Sequence, residues 1–182
     1  MAFDSKLTID ETKIVDTETG IEVMMEWERP VMKKVAEYIC AGGGDILEVG
    51  FGMGISANYI QEHDINSHTI MECHPQILKI LRKWAKSRPN TTIIEGDWYE
   101  NVDKLGKYDG IFFDTFGDDN CFKFDNILSD ISKPGARYTD WNGGGDRHYW
   151  KDVEHMEIKI KPVKNKYHKY DIDTYYMPMV KL

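Results

Sequence analysis

Cysteine is scarce: Cys40, Cys73 and Cys121 lie far apart and form no C-x-x-C pair. Neither a disulfide framework nor a zinc site is suggested, and no metal is expected. No apolar run approaches the roughly 18 residues of a membrane span. The opening MAFDSKLTIDE lacks the apolar core of a signal peptide. These absences predict a cytoplasmic chain without a membrane partner. Positive charge is also short: 23 Lys and Arg against 31 Asp and Glu leave a net charge of −8. A phosphate backbone asks for a basic face, so no nucleic-acid partner is expected; a small cationic substrate fits better. Repeats, low-complexity tracts and linkers are missing too. With 41% hydrophobic and 30% charged residues, the 182-residue chain reads as one globular domain.

The stretch DILEVGFGMGIS, residues 45–56, organises what is present. Ile46, Leu47 and Val49 form the short apolar run of a buried parallel strand. Gly50, Gly52 and Gly54 follow, and Ile55 to Gln61 begins a helical pattern. Strand, glycine turn and helix make the nucleotide-cofactor corner of a doubly wound α/β sheet. The dinucleotide pattern G-x-G-x-x-G fails, since Ile55 stands where its last glycine would be. Glu48 instead completes the E/D-x-G-x-G pattern of S-adenosylmethionine-dependent methyltransferases. The plain alternative is a tight turn without a ligand.

Before this corner, residues 5–23 read as short extended pieces with a Thr-Gly turn. Pro30 suits the first turn of a helix in which Val31, Met32, Val35, Ile39 and Cys40 recur at helical spacing, ended by Gly42–Gly44. Trp27 and the methionines are compatible with ordinary core, and Glu26 and Glu28 with complements to the helix dipole. After the corner, Ser67–Met71 reads as a second strand ending in Glu72, about 20 residues past the glycines, where such folds hold ribose hydroxyls. Pro75 opens an amphipathic helix, Gln76 to Lys86, with Ile77, Ile80, Leu81 and Trp84 on one face. Thr91–Ile94 is a third strand, followed by Gly96, Asp97 and Trp98; Trp98 is equally readable as an adenine neighbour or as core. Tyr108–Phe113 is a central fourth strand ending in Asp114, where open α/β sheets bind ligands. Asp118 and Asp119 suit the cap of a helix over about Cys121 to Ser132, broken by Lys133-Pro-Gly135. Arg137–Trp141 is a fifth strand, leading to Asn142 and Gly143–Gly145, an anion loop or a plain linker. His155–Lys161 and Thr174–Val180 are two more strands around a charged turn, Lys164 to Asp173.

Three segments together resemble one family. VMMEWERPVM (23–32), DILEVGFGMGIS with HTIMECHP (68–75), and YDGIFFDTFGDD (108–119) are similar to the guanidino-group methyltransferases. That family includes guanidinoacetate N-methyltransferase and the protein-arginine methyltransferases that modify the internal, delta nitrogen; the wording is nearer the latter. The ending YYMPMVKL is also similar, and the resemblance runs from about Ser5 to the C-terminus. It implies a class I, Rossmann-like seven-stranded sheet, mostly parallel with an antiparallel last strand inserted beside the fifth, and helices on both faces. Residues 1–23 would be an extension and 24–182 the core. S-adenosyl-L-methionine would be the cofactor. Its site would take in Glu48 and Gly50; Phe51, Gly52, Met53, Gly54, Ile55 and Ser56 along the methionine moiety; Glu72 at the ribose with Cys73 and His74; Gly96, Asp97 and Trp98 at the adenine; and Met24 and Met32. Glu28 and Asp114 would hold the guanidino group, Asp114 as main base. Asn142, Gly143, Gly144 and Gly145 fall where a substrate carboxylate is gripped.

The sequence also departs from the family. Phe116 replaces a tyrosine, the loop after the fifth strand is all glycine, and the N-terminal repeat region of the delta-nitrogen enzymes has no counterpart. The acceptor, the nitrogen methylated and the oligomeric state, homodimer included, stay open. A methyltransferase of another amine or a carboxylate, and a non-catalytic cofactor-binding protein, are the competing readings.

Overall fold

The computed structural model describes residues 5–118, 120–142, 153–166 and 173–182. Three short antiparallel strands, β1 (Leu7–Ile9), β2 (Lys13–Asp16) and β3 (Glu22–Met25), form a small sheet of their own. The turn from β2 to β3 is held by Asp16, whose carboxylate accepts from Ser5, Glu18 and Thr19 and is drawn down to about 2 by those donors, the Ser5 hydroxyl first. A 3-10 turn, Glu26–Glu28, leads into α1 (Arg29–Ile39), with Pro30 in its first turn.

The main sheet follows. Its strands are β4 (Asp45–Val49), β5 (Ser67–Glu72), β6 (Thr91–Glu95), β7 (Tyr108–Phe113), β8 (Ser132–Asp140), β9 (Glu154–Lys159) and β10 (Thr174–Lys181). Their spatial order is β6-β5-β4-β7-β8-β10-β9. β4 pairs in parallel with β5 and β7, β5 with β6, and β7 with β8. β10 runs antiparallel to β8 and β9, with Val180 opposite Tyr138. This is the seven-stranded, mostly parallel sheet expected, with the last strand of the chain inserted antiparallel beside the fifth.

Successive strand residues bury into different layers, as a two-residue period requires. Ile46, Ile70 and Phe112 pack under α1, α2 (Ile55–Ile60) and α3 (Pro75–Ala85). Leu47, Met71, Ile111 and Phe113 pack on the opposite face with Trp98, Phe124 and Leu128. The second face is covered differently from expectation. In place of one helix over 121–132 there is a 3-10 stretch, Cys121–Ile127, and a single α turn, α4 (Leu128–Ile131). β8 begins at Ser132, so Lys133-Pro134-Gly135 lies inside a strand. It is absorbed by a bulge, with Tyr108 opposite Ser132 and Gly110 opposite Arg137. On α3, Ile77 and Leu81 are buried and Trp84 packs on the core, as the spacing predicts, but Ile80 is exposed and Leu78 is buried in its place. No helix among the described residues is long and apolar enough to cross a membrane.

Candidate active site

The carboxyl ends of the parallel strands are tied into one rim. Gly50 N–H donates to Met71 O, Gly96 N–H to Glu72 O, Asp114 N–H to Val49 O and Trp141 N–H to Phe113 O, all at 2.8–3.0 Å. Gly50 has φ +94°, and a Cβ there would fall 1.9 Å from the Asp114 carbonyl oxygen. Glycine is therefore required where β4 passes β7, before any ligand is considered. A Cβ on Gly52 (φ +52°) would meet Met24 Sδ at 2.5 Å, because the N-terminal sheet rests on this loop.

A cleft of about 930 Å³, open at its mouth, lies along this rim. Gly50, Gly52, Glu72, Cys73, His74, Gly96, Asp97, Trp98 and Asp114 line it, with Met24 from β3. Residues that sequence reasoning missed line it as well: Ser5, Leu7 and Val23 of the N-terminal sheet, Val49, Met71, Ile77, Thr115 and Asp118. The sheet of residues 5–25 is thus a wall of the cleft. Its anchors are Gln76, which accepts from Leu7 N–H (2.8 Å) and donates to Leu7 O (3.0 Å), and His74, whose Nε2 lies 2.7 Å from Ser5 O. His74 Nδ1 accepts from Gln76 N–H, so Nε2 carries the proton.

Glu72 is nearly buried and already engaged. Its Oε1 accepts from Cys73 and His74 N–H, and its Oε2 from Phe51 N–H. It pins the glycine loop to the end of β5. Trp98 is core by its packing and also reaches the cleft: it is 3% exposed, packs edge-on against Phe113 and Phe124, and contributes to the cleft wall. Its indole N–H donates to Asp118 Oδ2 at 2.6 Å. Asp118 also accepts from Thr115 Oγ1 and Asn120 N–H, so it shapes the cleft rather than capping a helix. Burial, reinforced by Glu72, Asp97 and Asp118, pushes the Cys73 thiol up to about 12, which removes it as a nucleophile.

Several expected site residues stand elsewhere. Glu48 is fully buried on the α1–α2 side of β4. Ser56 Oγ donates to one of its carboxylate oxygens and His68 Nε2 lies 3.0 Å from the other. The strand's alternation turns it away from the cleft that Val49 and Gly50 line. Met32 is fully buried on the inner face of α1. Phe51 packs edge-on against Trp84 at 5.4 Å, and Ile55 and Ser56 are the buried face of α2. Met53 and Gly54 are in the loop but off the wall, Met53 N–H facing Met24 Sδ at 3.1 Å. Asn142 donates its side-chain amide to Tyr176 O (2.6 Å) and its N–H to Tyr175 Oη, and lines neither cavity. Asp119, Gly143, Gly144, Gly145 and residues 167–172 of the charged turn between β9 and β10 lie outside the described residues.

A second, smaller recess of about 310 Å³ adjoins the cleft. Glu22, Val23, Met25, Glu28, Asp114, Thr115, Phe116 and Trp141 line it. Val23, Asp114, Thr115 and Phe116 belong to both cavities. Trp141 stacks on Tyr175 (4.8 Å, 19°) and lies 6.5 Å from Trp27, giving the recess an aromatic flank unread from sequence. Glu28 Oε1 accepts from Met25 N–H. The Asp114 carboxylate takes no hydrogen bond from the described protein. Burial, then the charges of Glu48, Asp140 and Glu72, raise Asp114 to about 7. Burial, then the charge of Asp114, carries Glu28 well above the carboxylate range.

Residues 4–138 match the family described as guanidinoacetate N-methyltransferase. Protein arginine N-methyltransferase 2 of Gibberella zeae is 36% identical over 180 residues, covering 87% of this chain and 41% of the relative. Its counterpart in Candida glabrata is 32% identical, covering 86% and 41%; that in Aspergillus oryzae is 31% identical, covering 98% and 50%. The chain spans about half or less of the length of these relatives. Among solved structures, spermidine synthase from Thermotoga maritima superposes with a TM-score of 0.67 over 97% of this chain and 72% of that one, at 13% identity. A putative caffeoyl-CoA O-methyltransferase from Staphylococcus aureus gives 0.53 over 68% and 60%, at 19% identity. These two likenesses show the fold alone. The sequence match covers well over half of the residues and takes in both the glycine loop and Asp114, and the chain belongs to the guanidinoacetate N-methyltransferase family.

Proposed function

We propose that this chain is an S-adenosylmethionine-dependent N-methyltransferase acting on a guanidino group, of an arginine or a small guanidino compound. One observation carries the reading: the long cleft and the small recess meet at Asp114, Thr115 and Phe116, and the recess adds Glu28 beside Asp114. A donor lying in the first and an acceptor in the second come together at a carboxylate.

The cleft suits the cofactor in its chemistry. Glu72, Asp97, Asp114 and Asp118 put carboxylates on the wall among apolar Leu7, Val49, Met71 and Ile77, a match for a cation with a large apolar part. When bound, S-adenosylmethionine supplies an electrophilic methyl group on a positively charged sulfur. Gly50, Gly52 and Met24 would flank its methionine end, and Asp97 and Trp98 its adenine end. A carboxylate offers about four lone-pair directions, and three of those on Glu72 are taken by backbone donors, so about one remains, on Oε2, for a ribose hydroxyl.

In the recess, Glu28 and Asp114 can take the planar N–H fork of a guanidinium and fix its plane against the cleft. A free guanidinium ionises above about 12, so its nitrogen becomes acidic only as it gains the methyl carbon. As the N–C bond forms and the C–S bond breaks, that nitrogen sheds one proton. Asp114 is placed to take it, since it alone of the pair also lines the cleft. Without a cation beside them, both carboxyls are pushed toward the protonated form. Entry of the guanidinium reverses this, pulling both toward the charged form. The recess disfavours a carboxylate as acceptor, because its charged lining is acidic among the described residues.

The deciding experiment is transfer of a radiolabelled methyl group from S-adenosylmethionine to a panel of guanidino compounds and arginine peptides, with mass spectrometry of the products. A labelled guanidino nitrogen is expected. Labelling confined to amines or carboxylates, or no transfer by protein that binds the cofactor, would overturn the reading.

A further inference from the structure

The recess holds one more charged side chain than the guanidinium clamp uses. Among the described residues that line it, the charged ones are Glu22, Glu28 and Asp114, with no Lys, Arg or His. Glu28 is buried, whereas Glu22, at the start of β3, is half-exposed and so stands toward the outer end. Its carboxylate is fixed there: Oε2 accepts from the Lys166 backbone N–H at 2.8 Å. The Lys166 ammonium lies against Gly20, 2.6 Å from where a Cβ would be, and is not among the residues that line the recess.

We infer that Glu22 is a specificity-determining residue: it favours guanidino acceptors that carry a second positive charge on the far side of the molecule and disfavours those that carry a carboxylate there. The inference rests on the guanidino reading above and names the acceptor class within it. With Glu28 and Asp114 occupied by the guanidinium, the distal group of a short acceptor meets Glu22. An ammonium gains a partner already in place. A carboxylate meets like charge and finds no cation among the described lining residues. Specificity of this kind comes as much from the repulsion as from the attraction.

The test uses a matched pair of probes, agmatine and 4-guanidinobutanoate, which share the guanidino group and differ in ending as amine or acid. Binding of each to the cofactor-loaded full chain is measured by calorimetry, and kcat/KM by methyl transfer. The parent is expected to prefer agmatine by on the order of tenfold or more, as for a partly screened charge contact. Glu22→Gln keeps an oxygen for the Lys166 N–H and should shrink that preference about tenfold, by losing agmatine affinity and gaining affinity for the acid. Glu22→Lys should invert it. Equal handling of both probes by the parent, or a ratio unmoved in both variants, overturns the inference while leaving guanidino methylation standing. If neither probe binds and no guanidino compound is methylated by cofactor-loaded protein, the inference falls together with the reading it rests on.

Discussion

Two carboxylates stand at the ends of near-neighbouring strands and are treated in opposite ways. Glu72, closing β5, accepts three backbone N–H bonds. Asp114, just past β7, accepts none from the described protein and is raised to about 7. Both line the same cleft. The difference teaches what each can do. A carboxylate spread over three fixed donors is an anchor: it cannot turn, and it has about one lone-pair direction to offer a ligand. A carboxylate left without donors, among other acids, is destabilised in its charged form and gains most from a cation or a proton. The fold thus sets a hydrogen-bonded, fixed carboxylate at one strand end and, two strands away, one without donors from the described protein, from the same chemical group.

The sharpest way to break this contrast is Asp114→Asn, which keeps the shape and removes the proton acceptor. kcat/KM for guanidino methylation should fall about 10²–10⁴-fold, the span usual for a lost general base. Cofactor affinity should stay within a few-fold by calorimetry. Full activity would end the base assignment. Stability should move the other way. A carboxyl whose folded value is raised contributes fully below its unfolded value, near 3.8, and loses that contribution as pH climbs through about 7. At pH 8 the ligand-free Asp114→Asn protein should therefore melt several degrees above the parent, and the gap should close toward pH 5. A gap independent of pH would mean that Asp114 is not the buried, unsatisfied acid described here.

Glu72 gives the opposite pairing of effects. Glu72→Ala strands the N–H groups of Phe51, Cys73 and His74, at a cost of about 2–4 kcal/mol to the ligand-free fold, given hydrogen bonds to a charged acceptor. Read from sequence alone, Glu72 is a ribose ligand whose loss would spare the ligand-free protein. The three backbone bonds argue instead for a drop in both melting temperature and cofactor affinity. A melting temperature equal to the parent's would reduce Glu72 to a ligand contact only.

Glu28→Gln should be milder on the fold and still hard on turnover. The glutamine oxygen can accept from Met25 N–H as Glu28 does, so the turn into α1 survives. One charged arm of the clamp is lost, worth about 10–10²-fold in kcat/KM. Combined with Asp114→Asn, it should add little, because residues acting as a unit are not additive. Additive losses would separate the two carboxylates into independent roles. For the parent, kcat/KM should climb with pH through about 7, as Asp114 becomes free to accept a proton, and keep climbing until Glu28 too is charged.

How much of this was legible follows from how local each signal is. The parallel strands, the glycine turn and Pro75's helix rest on patterns within a dozen residues, whereas the insertion of the last strand beside the fifth was expected only from the resemblance to the family. Glu72 and Asp114 were findable because strand ends are where such sheets bind ligands. Glu48 was misplaced because its motif marks the loop, while strand alternation points its side chain to the other face. Met32 was misplaced because the resemblance carried it over as a cofactor neighbour, whereas its place in the helical repeat, on the buried face of α1, is the one it occupies. The helix over 121–132 failed because two bends, the 3-10 stretch and the bulged start of β8, serve tertiary packing of Phe124 and Ile131 rather than local propensity. Trp141, Val23 and Glu22 meet at the recess from distant parts of the chain. No spacing within one segment announces a meeting at that range.

The smallest expected effect tests the part of the site that sequence reading saw least, the N-terminal sheet. Gln76 clamps both backbone groups of Leu7, 69 residues away, and His74 adds a bond to Ser5 O. Apolar Leu7, Ile14 and Met24 are buried with the main core, so the sheet has a hydrophobic hold independent of the clamp. Gln76→Ala should therefore weaken the docking of β1 by about 1–2 kcal/mol, two ordinary hydrogen bonds, without unfolding the domain. Ser5 and Leu7 line the cleft, so the loosened strand should speed cofactor release and expose residues 5–21 to protease. The expected readings are a dissociation rate several-fold faster than the parent's and earlier cleavage near the N-terminus, with catalytic turnover at saturating cofactor little changed. Glu72→Ala, in contrast, should weaken cofactor binding with less N-terminal cleavage than Gln76→Ala, because Gln76 still clamps both backbone groups of Leu7. Unchanged dissociation and protease resistance in Gln76→Ala would show that burial of Leu7, Ile14 and Met24 alone holds this wall of the cleft in place.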